Sequence, residues 1–180
     1  VFRQDWLDEL NMSIPTTAEE FKEVLVAMKN EYNIAPLTFD MYTPLIYPIS
    51  AAFGIYSDWQ EYEIDGKKEV RYYMEAPGYA DYIDYMADLY KSGLIDAEIS
   101  TQKSADAIQK FTSGKAGAVA TSLWSVSAIV TGLQSNGVIT ATEAQTTQEN
   151  VLGYLRSLKN EDGKYKVYRT SGYTYITAIP

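Results

Sequence analysis

The run Phe111-Thr-Ser-Gly-Lys-Ala-Gly-Ala-Val-Ala-Thr-Ser-Leu-Trp124 leaves this chain few choices of fold. It reads as a helix end, a tight turn, a buried strand and an aromatic residue at the strand's exit. Ser104 is placed to cap a short helix, Ile108 and Phe111 share one face of it, and Gly114 offers the left-handed residue that stops it. Lys115 suits the negative end of that helix. From Ala116 to Ser122 the side chains are small apart from β-branched Val119. That segment is too short and too smooth for an amphipathic helix, so a strand packed on both faces is expected. Beyond Trp124, Val126, Ile129, Val130 and Leu133 recur at helical spacing, which puts the tryptophan at a strand-to-helix junction. In open α/β sheets, ligands collect at such strand ends.

The flanking sequence supplies the remaining elements. Asp5 to Leu10 predicts a short helix with Trp6, Leu7 and Leu10 on its apolar side. Thr16 and Thr17 each precede a glutamate by three residues, two overlapping capping boxes, and Phe21, Val24, Leu25 and Met28 carry the following helix to about Lys29. Pro36 to Phe39 reads as a strand. Pro44 and Pro48 limit the apolar segment Tyr42 to Phe53 to brief helical turns. Trp59 to Ile64 and Val70 to Met74 flank Asp65-Gly66, a hairpin signal, with Trp59 near one end of the ribbon. Pro77 fits a first helical position, and the stripe Tyr79, Tyr82, Ile83, Met86, Leu89 and Tyr90 runs to Gly93, with Asp81, Asp84 and Asp88 opposite. Asn136-Gly137 marks a turn. Val151 to Leu158, Tyr165 to Arg169 and Tyr173 to Ile179 read as strands. The first two are joined at Asn160-Glu-Asp-Gly163, which lacks the alternating ligands of a calcium loop and predicts a hairpin turn. The class expected is α/β: one helix-rich domain over residues 1–180, a mixed sheet flanked by helices, plus a β-hairpin.

Composition removes several functions. The formal net charge is −9, with 15 Lys+Arg against 24 Asp+Glu, which disfavours nucleic acid and anionic ligands as classes. The chain has no cysteine and no histidine, so no thiol nucleophile, no imidazole base and none of the commonest zinc ligands. Neither a G-x-S-x-G elbow nor a P-loop occurs. Carboxylate pairs such as Asp58/Glu61 or Asp81/Asp84 are left for hydrolysis, and the second pair lies on the polar side of its helix. Catalysis is not expected, nor is a cofactor or a metal. No apolar run is long enough to span a bilayer.

The pattern F-x-x-G-K-x-G, a small-residue strand and S-x-W resembles bacterial extracellular solute-binding proteins of family 1, the maltose-binding-protein-like components of ABC importers. Arg3-Gln-Asp5-Trp6-Leu-Asp-Glu-Leu10 with Ile14-Pro15-Thr-Thr-Ala-Glu19-Glu-Phe21 resembles the opening of that family's second lobe. Tyr85-Met-Ala-Asp-Leu-Tyr-Lys-Ser-Gly93-Leu-Ile-Asp96 resembles one of its helix ends, and Arg169-Thr-Ser-Gly172-Tyr with Ala178-Ile-Pro180 a strand leading back to its hinge. Family members usually carry a larger residue near Gly117-Ala118 and a glycine two positions before the tryptophan, where this chain has Ser122. The resemblance implies the second lobe of a type II periplasmic-binding-protein-like fold, the first lobe being built from sequence before Val1 and after Pro180. It implies an extracytoplasmic protein held by a lipid anchor outside this fragment, which captures a sugar and passes it to ABC permease subunits. It further implies that Trp124 stacks on a sugar face, where an indole removes apolar area from water while ring hydroxyls stay free. Ser122 and Ser125 flank it as polar contacts. Trp59, with Tyr56 and Asp58 beside it, is the second aromatic candidate, and Arg169 lies on the hinge side. Each tryptophan has a packing alternative, and Arg169 a structural ion pair. The competing functional reading is a stand-alone carbohydrate-binding or glycan-processing module.

Overall fold

The computed structural model describes residues 1–41, 43, 46–140, 143, 151–155, 157–160 and 162–164. The chain opens with β1 (Phe2–Arg3) and turns into α1 (Gln4–Glu9), where Leu7 is buried and Trp6 stacks on Tyr32 with ring centroids 3.9 Å apart. α2 (Ala18–Tyr32) begins at a capping box: the Thr17 hydroxyl accepts from the Glu20 N–H at 3.2 Å, and the Glu20 carboxylate accepts from the N–H groups of Thr16 and Thr17. Those donors, with the Thr16 hydroxyl, hold the Glu20 carboxyl below its ordinary pKa. The helix runs three residues past Lys29 because Asn33 adopts the left-handed conformation that ends it.

β2 (Leu37–Phe39) leads through residues 40–46 to the short α3 (Tyr47–Ser50) and a 3-10 turn at Ala51–Phe53. β3 (Trp59–Ile64) and β4 (Lys67–Tyr72) pair in one antiparallel ribbon around Asp65-Gly66, both at positive φ, as the turn chemistry predicts. α4 (Tyr79–Lys91) is capped by Gly78, so Pro77 lies just outside the helix and not at its first position. α5 (Ser104–Thr112), by contrast, starts one residue before expectation. Lys103 is the cap, and its N–H donates to the Asp106 carboxylate at 3.0 Å. β5 (Ala118–Ala120), a 3-10 turn at Leu123–Ser125 and α6 (Val126–Ser135) follow, then β6 (Leu152–Gly153).

Among the described residues the main sheet has the order β2-β5-β1-β6. β2 and β5 are parallel, with Phe39 opposite Ala120, and β1 is antiparallel to both of its neighbours. The sheet is therefore mixed and covered on both sides, because alternate residues of each strand face opposite ways. Ala118, Phe2, Leu37 and Phe39 join the core formed with α1, α2 and α4. Val119 and Leu152 join a second core with Phe111, Ile129 and Leu133 of α5 and α6. This is the α/β class expected from the sequence. Among the described residues the strand expected over Val151 to Leu158 is paired at Leu152–Gly153; Leu158 leaves the sheet and its N–H donates to the Pro48 carbonyl at 2.8 Å. The turn at Asn160 to Gly163 forms, closed by the Gly163 N–H on the Asn160 carbonyl. The strands expected at Tyr165–Arg169 and Tyr173–Ile179 lie outside the described residues.

The start of α4 sits so close to the 3-10 turn that a Cβ on Gly78 would collide with the Phe53 carbonyl oxygen, a backbone atom with little freedom to move. Gly78→Ala is expected to destabilise the fold by roughly 1–3 kcal/mol, the range for overpacking. Urea denaturation checks this; Gly78 lies at φ −87°, so left-handed backbone strain makes no contribution to the loss.

Candidate functional site

The strand directions decide which side chains meet. β2, β5 and β6 all run one way, so their C-terminal ends open on a single sheet edge, and β1 enters there. Asp40 and Met41, Thr121 to Trp124, and Tyr154 leave the strands at that edge. Trp124 is 79% exposed and belongs to neither of the two cores described above. Around it, Thr121 Oγ1 donates to Ser125 Oγ at 3.0 Å, and Ser122 Oγ lies 3.4 Å from the same atom. The two serines are thus linked to one another beside the tryptophan, with Ser122 exposed.

A second cluster forms at the base of the hairpin. Trp59 is 61% exposed and sits opposite Tyr72 in the ladder, the two rings 5.2 Å apart and inclined at 50°. Tyr72 touches Tyr73 at 4.5 Å, and buried Tyr73 meets Tyr79 edge-on at 5.8 Å. Burial first, then a hydrogen bond to Tyr72, pushes the Tyr73 hydroxyl up to about 12. Asp58 is exposed; its Oδ1 accepts from the Tyr47 hydroxyl at 2.6 Å, and its carbonyl accepts from the Tyr73 N–H at 2.8 Å. Burial, followed by that Asp58 contact, also raises the Tyr47 pKa. Tyr56 differs from its neighbours: its N–H donates to Gln60 Oε1, but its hydroxyl is shut off from solvent and, among the described residues, has no hydrogen-bond partner, as is the case for Tyr62. Burial raises the pKa of both. Of the six residues singled out from sequence, Trp124, Ser122 and Ser125 meet at the β5 exit and Trp59 and Tyr56 at the hairpin base, while Arg169 lies outside the described residues.

Sequence reasoning missed the polar network that holds the β2 exit. Residues 94–102 run beside β2, bridged at Leu37 and Ile95. Buried Gln102 donates through Nε2 to Thr38 Oγ1 at 2.8 Å and to the Phe39 carbonyl at 2.6 Å, and the Met41 N–H donates to the Gln102 carbonyl. Thr38 Oγ1 donates in turn to Asp96, which Lys110 also reaches at 2.6 Å together with Glu98. A threonine amid apolar strand residues was the available signal. Burial raises the Asp96 pKa, but hydrogen bonds from Lys110, the Glu98 N–H and Thr38 outweigh it and the net shift is downward. For Lys110, burial lowers the pKa and its two carboxylate partners more than restore it, so the net shift is upward.

Comparison with known proteins adds three relatives. The chain is 26% identical over 190 residues to lipoprotein LipO of Bacillus subtilis (strain 168), an alignment covering 100% of this chain and 36% of that protein. It is 26% identical over 189 residues to the polygalacturonan/rhamnogalacturonan-binding protein YtcQ of the same strain, covering 100% of this chain and 35% of that one. An uncharacterised protein in the butB 5′ region of Niallia circulans is 33% identical over 100 residues, 56% of this chain and 35% of the relative. The chain therefore spans about a third of the length of these curated relatives. No family model and no solved structure matches it.

The Asp96–Lys110 pair yields a pH-dependent prediction. Lys110→Met is expected to cost about 2 kcal/mol of stability at pH 7, since it strips a mostly buried carboxylate of its charged donor. The depressed Asp96 pKa means the pair's contribution is complete above the ordinary value of 3.8 and fades as pH falls through the lower folded value. The raised Lys110 pKa means it is complete below 10.5 and fades as pH rises through the higher folded value. Urea midpoints of wild type and variant should be furthest apart between those limits and converge beyond either.

Proposed function

We propose that this chain is one lobe of a two-lobed, extracytoplasmic carbohydrate-binding protein that delivers its ligand to the permease of an ABC importer. The observation that carries the reading is Trp124: an indole 79% exposed at the exit of a central strand, on the edge where three strand ends converge. Leaving so large an apolar ring in water forgoes on the order of 2 kcal/mol of burial, which a ligand covering it would recover. A sugar suits this geometry, because its C–H face covers the ring while hydroxyls reach Ser122 and the exposed polar groups nearby. The names of the two relatives that align over the whole of this chain support the reading, one being called a lipoprotein and the other a polygalacturonan/rhamnogalacturonan-binding protein. Their length supports a further lobe, and the lipoprotein name supports a lipid anchor elsewhere in the protein.

The action is binding without a covalent step. Among the described residues no group of three or more potential metal-binding side chains occurs, and no helix is long and apolar enough to cross a membrane. Closure of two lobes over a sugar is driven only by the difference in ligand affinity between the closed and open states. This lobe supplies the Trp124 platform, with Ser122, Ser125 and Trp59 as further contacts; Tyr56 supports the hairpin base from within.

In the two-lobed protein, Trp124→Ala is expected to weaken sugar binding by about 1–3 kcal/mol, judged from the burial of a large ring, with the thermal unfolding midpoint preserved. Isothermal calorimetry against a sugar panel measures it, and an unchanged affinity would remove Trp124 from the site. The 180-residue chain by itself should bind the same sugar far more weakly; equal affinity in the two forms would refute the division of the cleft between lobes.

A further inference from the structure

The corner formed by Asp58, Trp59 and Tyr72 has a chemistry of its own. Trp59 and Tyr72 present an inclined aromatic pair to solvent, and the pair is not loose: it rests on Tyr73, which is 4% exposed and seated on Tyr79. Val70, two residues along the same ribbon face, is 67% exposed and extends the apolar surface. At the margin, Asp58 is held twice, by the Tyr47 hydroxyl on Oδ1 and by the Tyr73 N–H on its carbonyl. Among the described residues Oδ2 accepts no hydrogen bond, and no lysine or arginine pairs with this carboxylate. A fixed carboxylate oxygen facing water beside an aromatic platform is the arrangement that accepts hydroxyl donors from a ring lying on that platform.

The surrounding charge narrows the ligand. Of the ribbon's three cations, Lys68 pairs with Glu61 at 2.8 Å, Arg71, on the opposite ribbon face from Trp59, is forked onto Glu69, and Lys67 lies at the turn end of the ladder opposite Ile64, far from this corner. A uronate carboxylate brought to Asp58 would meet a like charge with no neutralising partner, in a chain of net charge −9. We propose that Asp58, Trp59 and Tyr72 form a subsite for a neutral pyranose unit, the two rings covering its C–H face and Asp58 Oδ2 accepting from its hydroxyls. This rests on the carbohydrate reading and sharpens it: the acidic polymers named for one relative are excluded here.

The chain's three tryptophans give three indole N–H signals, and Trp6, stacked on Tyr32 beneath α1, serves as an internal control. Titrating the ¹⁵N-labelled chain with neutral gluco-, galacto- and manno-configured trisaccharides, and separately with trigalacturonate, reads weak binding directly, down to constants on the order of 1 mM. Tryptophan-to-phenylalanine variants assign the signals. The Trp59 signal is expected to move saturably with at least one neutral sugar and to stay still with trigalacturonate. Asp58→Asn, which keeps an acceptor for Tyr47, should weaken the neutral sugar at least fivefold and admit trigalacturonate. Should Trp124 move and Trp59 not, the subsite is wrong and the carbohydrate reading survives. Should neither indole move with any sugar, the subsite is wrong, and the carbohydrate reading is judged by the calorimetry on the two-lobed protein. Equal movement of Trp59 with trigalacturonate overturns the neutral class, and an Asp58→Asn chain with unaltered affinities removes Asp58. Movement of Trp59 with protein concentration alone would mean that a second copy of the chain covers the corner, which also overturns the proposal.

Discussion

The parallel pairing of β2 with β5 is the constraint from which the rest of this structure follows. Its register, Leu37 on Ala118 through Phe39 on Ala120, brings the exits of two strands far apart in sequence to one edge. It also requires β5 to be small. The strand lies between β2 and β1 with a helical layer on each face, and the space is taken. A Cβ on Gly117 would run into Met28 and Trp6. The Trp6 ring, in contact with Arg3 and stacked on Tyr32, occupies that side. A small-residue strand and a buried α1–α2 layer are two descriptions of one packing solution.

What could be read from sequence was local. The Thr17–Glu20 capping box, the Asp65-Gly66 turn and the strand, tryptophan, helix order around Trp124 each depend on residues within a few positions of one another, and each is present as expected. What could not be read depends on pairs brought together by topology. Gln102 reaches Thr38 across 64 residues, and Lys22 reaches Asp88 across 66; neither separation carries a pattern. The strand expected over Val151 to Leu158 failed for the same reason. Among the described residues Leu152 and Gly153 pair with β1, and beyond them the backbone N–H groups of Leu158 and Lys159 donate to the Pro48 and Thr16 carbonyls. Trp59 and Trp124 were legible as candidates; which groups surround each was not. Asp58 counts as a site residue only because Tyr47 and Tyr73 fix it, contacts eleven and fifteen positions away in sequence.

The acidic composition also acquires a location. Arg3, Lys22, Lys68, Arg71 and Lys110 are each paired with a carboxylate. Most of these are surface pairs worth little to stability. Their consequence is for recognition: a ligand approaching the hairpin base meets Asp58 and aromatic rings, not guanidinium groups. Specificity of this kind arises by repelling the wrong charge as much as by attracting the right one.

On the proposed two-lobed reading, the two exposed indoles of this chain also bear on how such a protein would switch. A ligand cannot drive closure by binding tightly to a surface that is equally available in both states, since only differential affinity moves the equilibrium. Platforms already open to water therefore govern capture, and the contacts that arrive later from the opposing lobe govern closure. The packing beneath Trp59 fits the first role: its ring rests on Tyr72 and, through it, on Tyr73 and Tyr79, so a sugar landing there orders little protein and loses little entropy. On that division of labour, truncating a platform ring would lower affinity for the open and closed states alike, and the position of the closure equilibrium at saturating sugar would stay where it was.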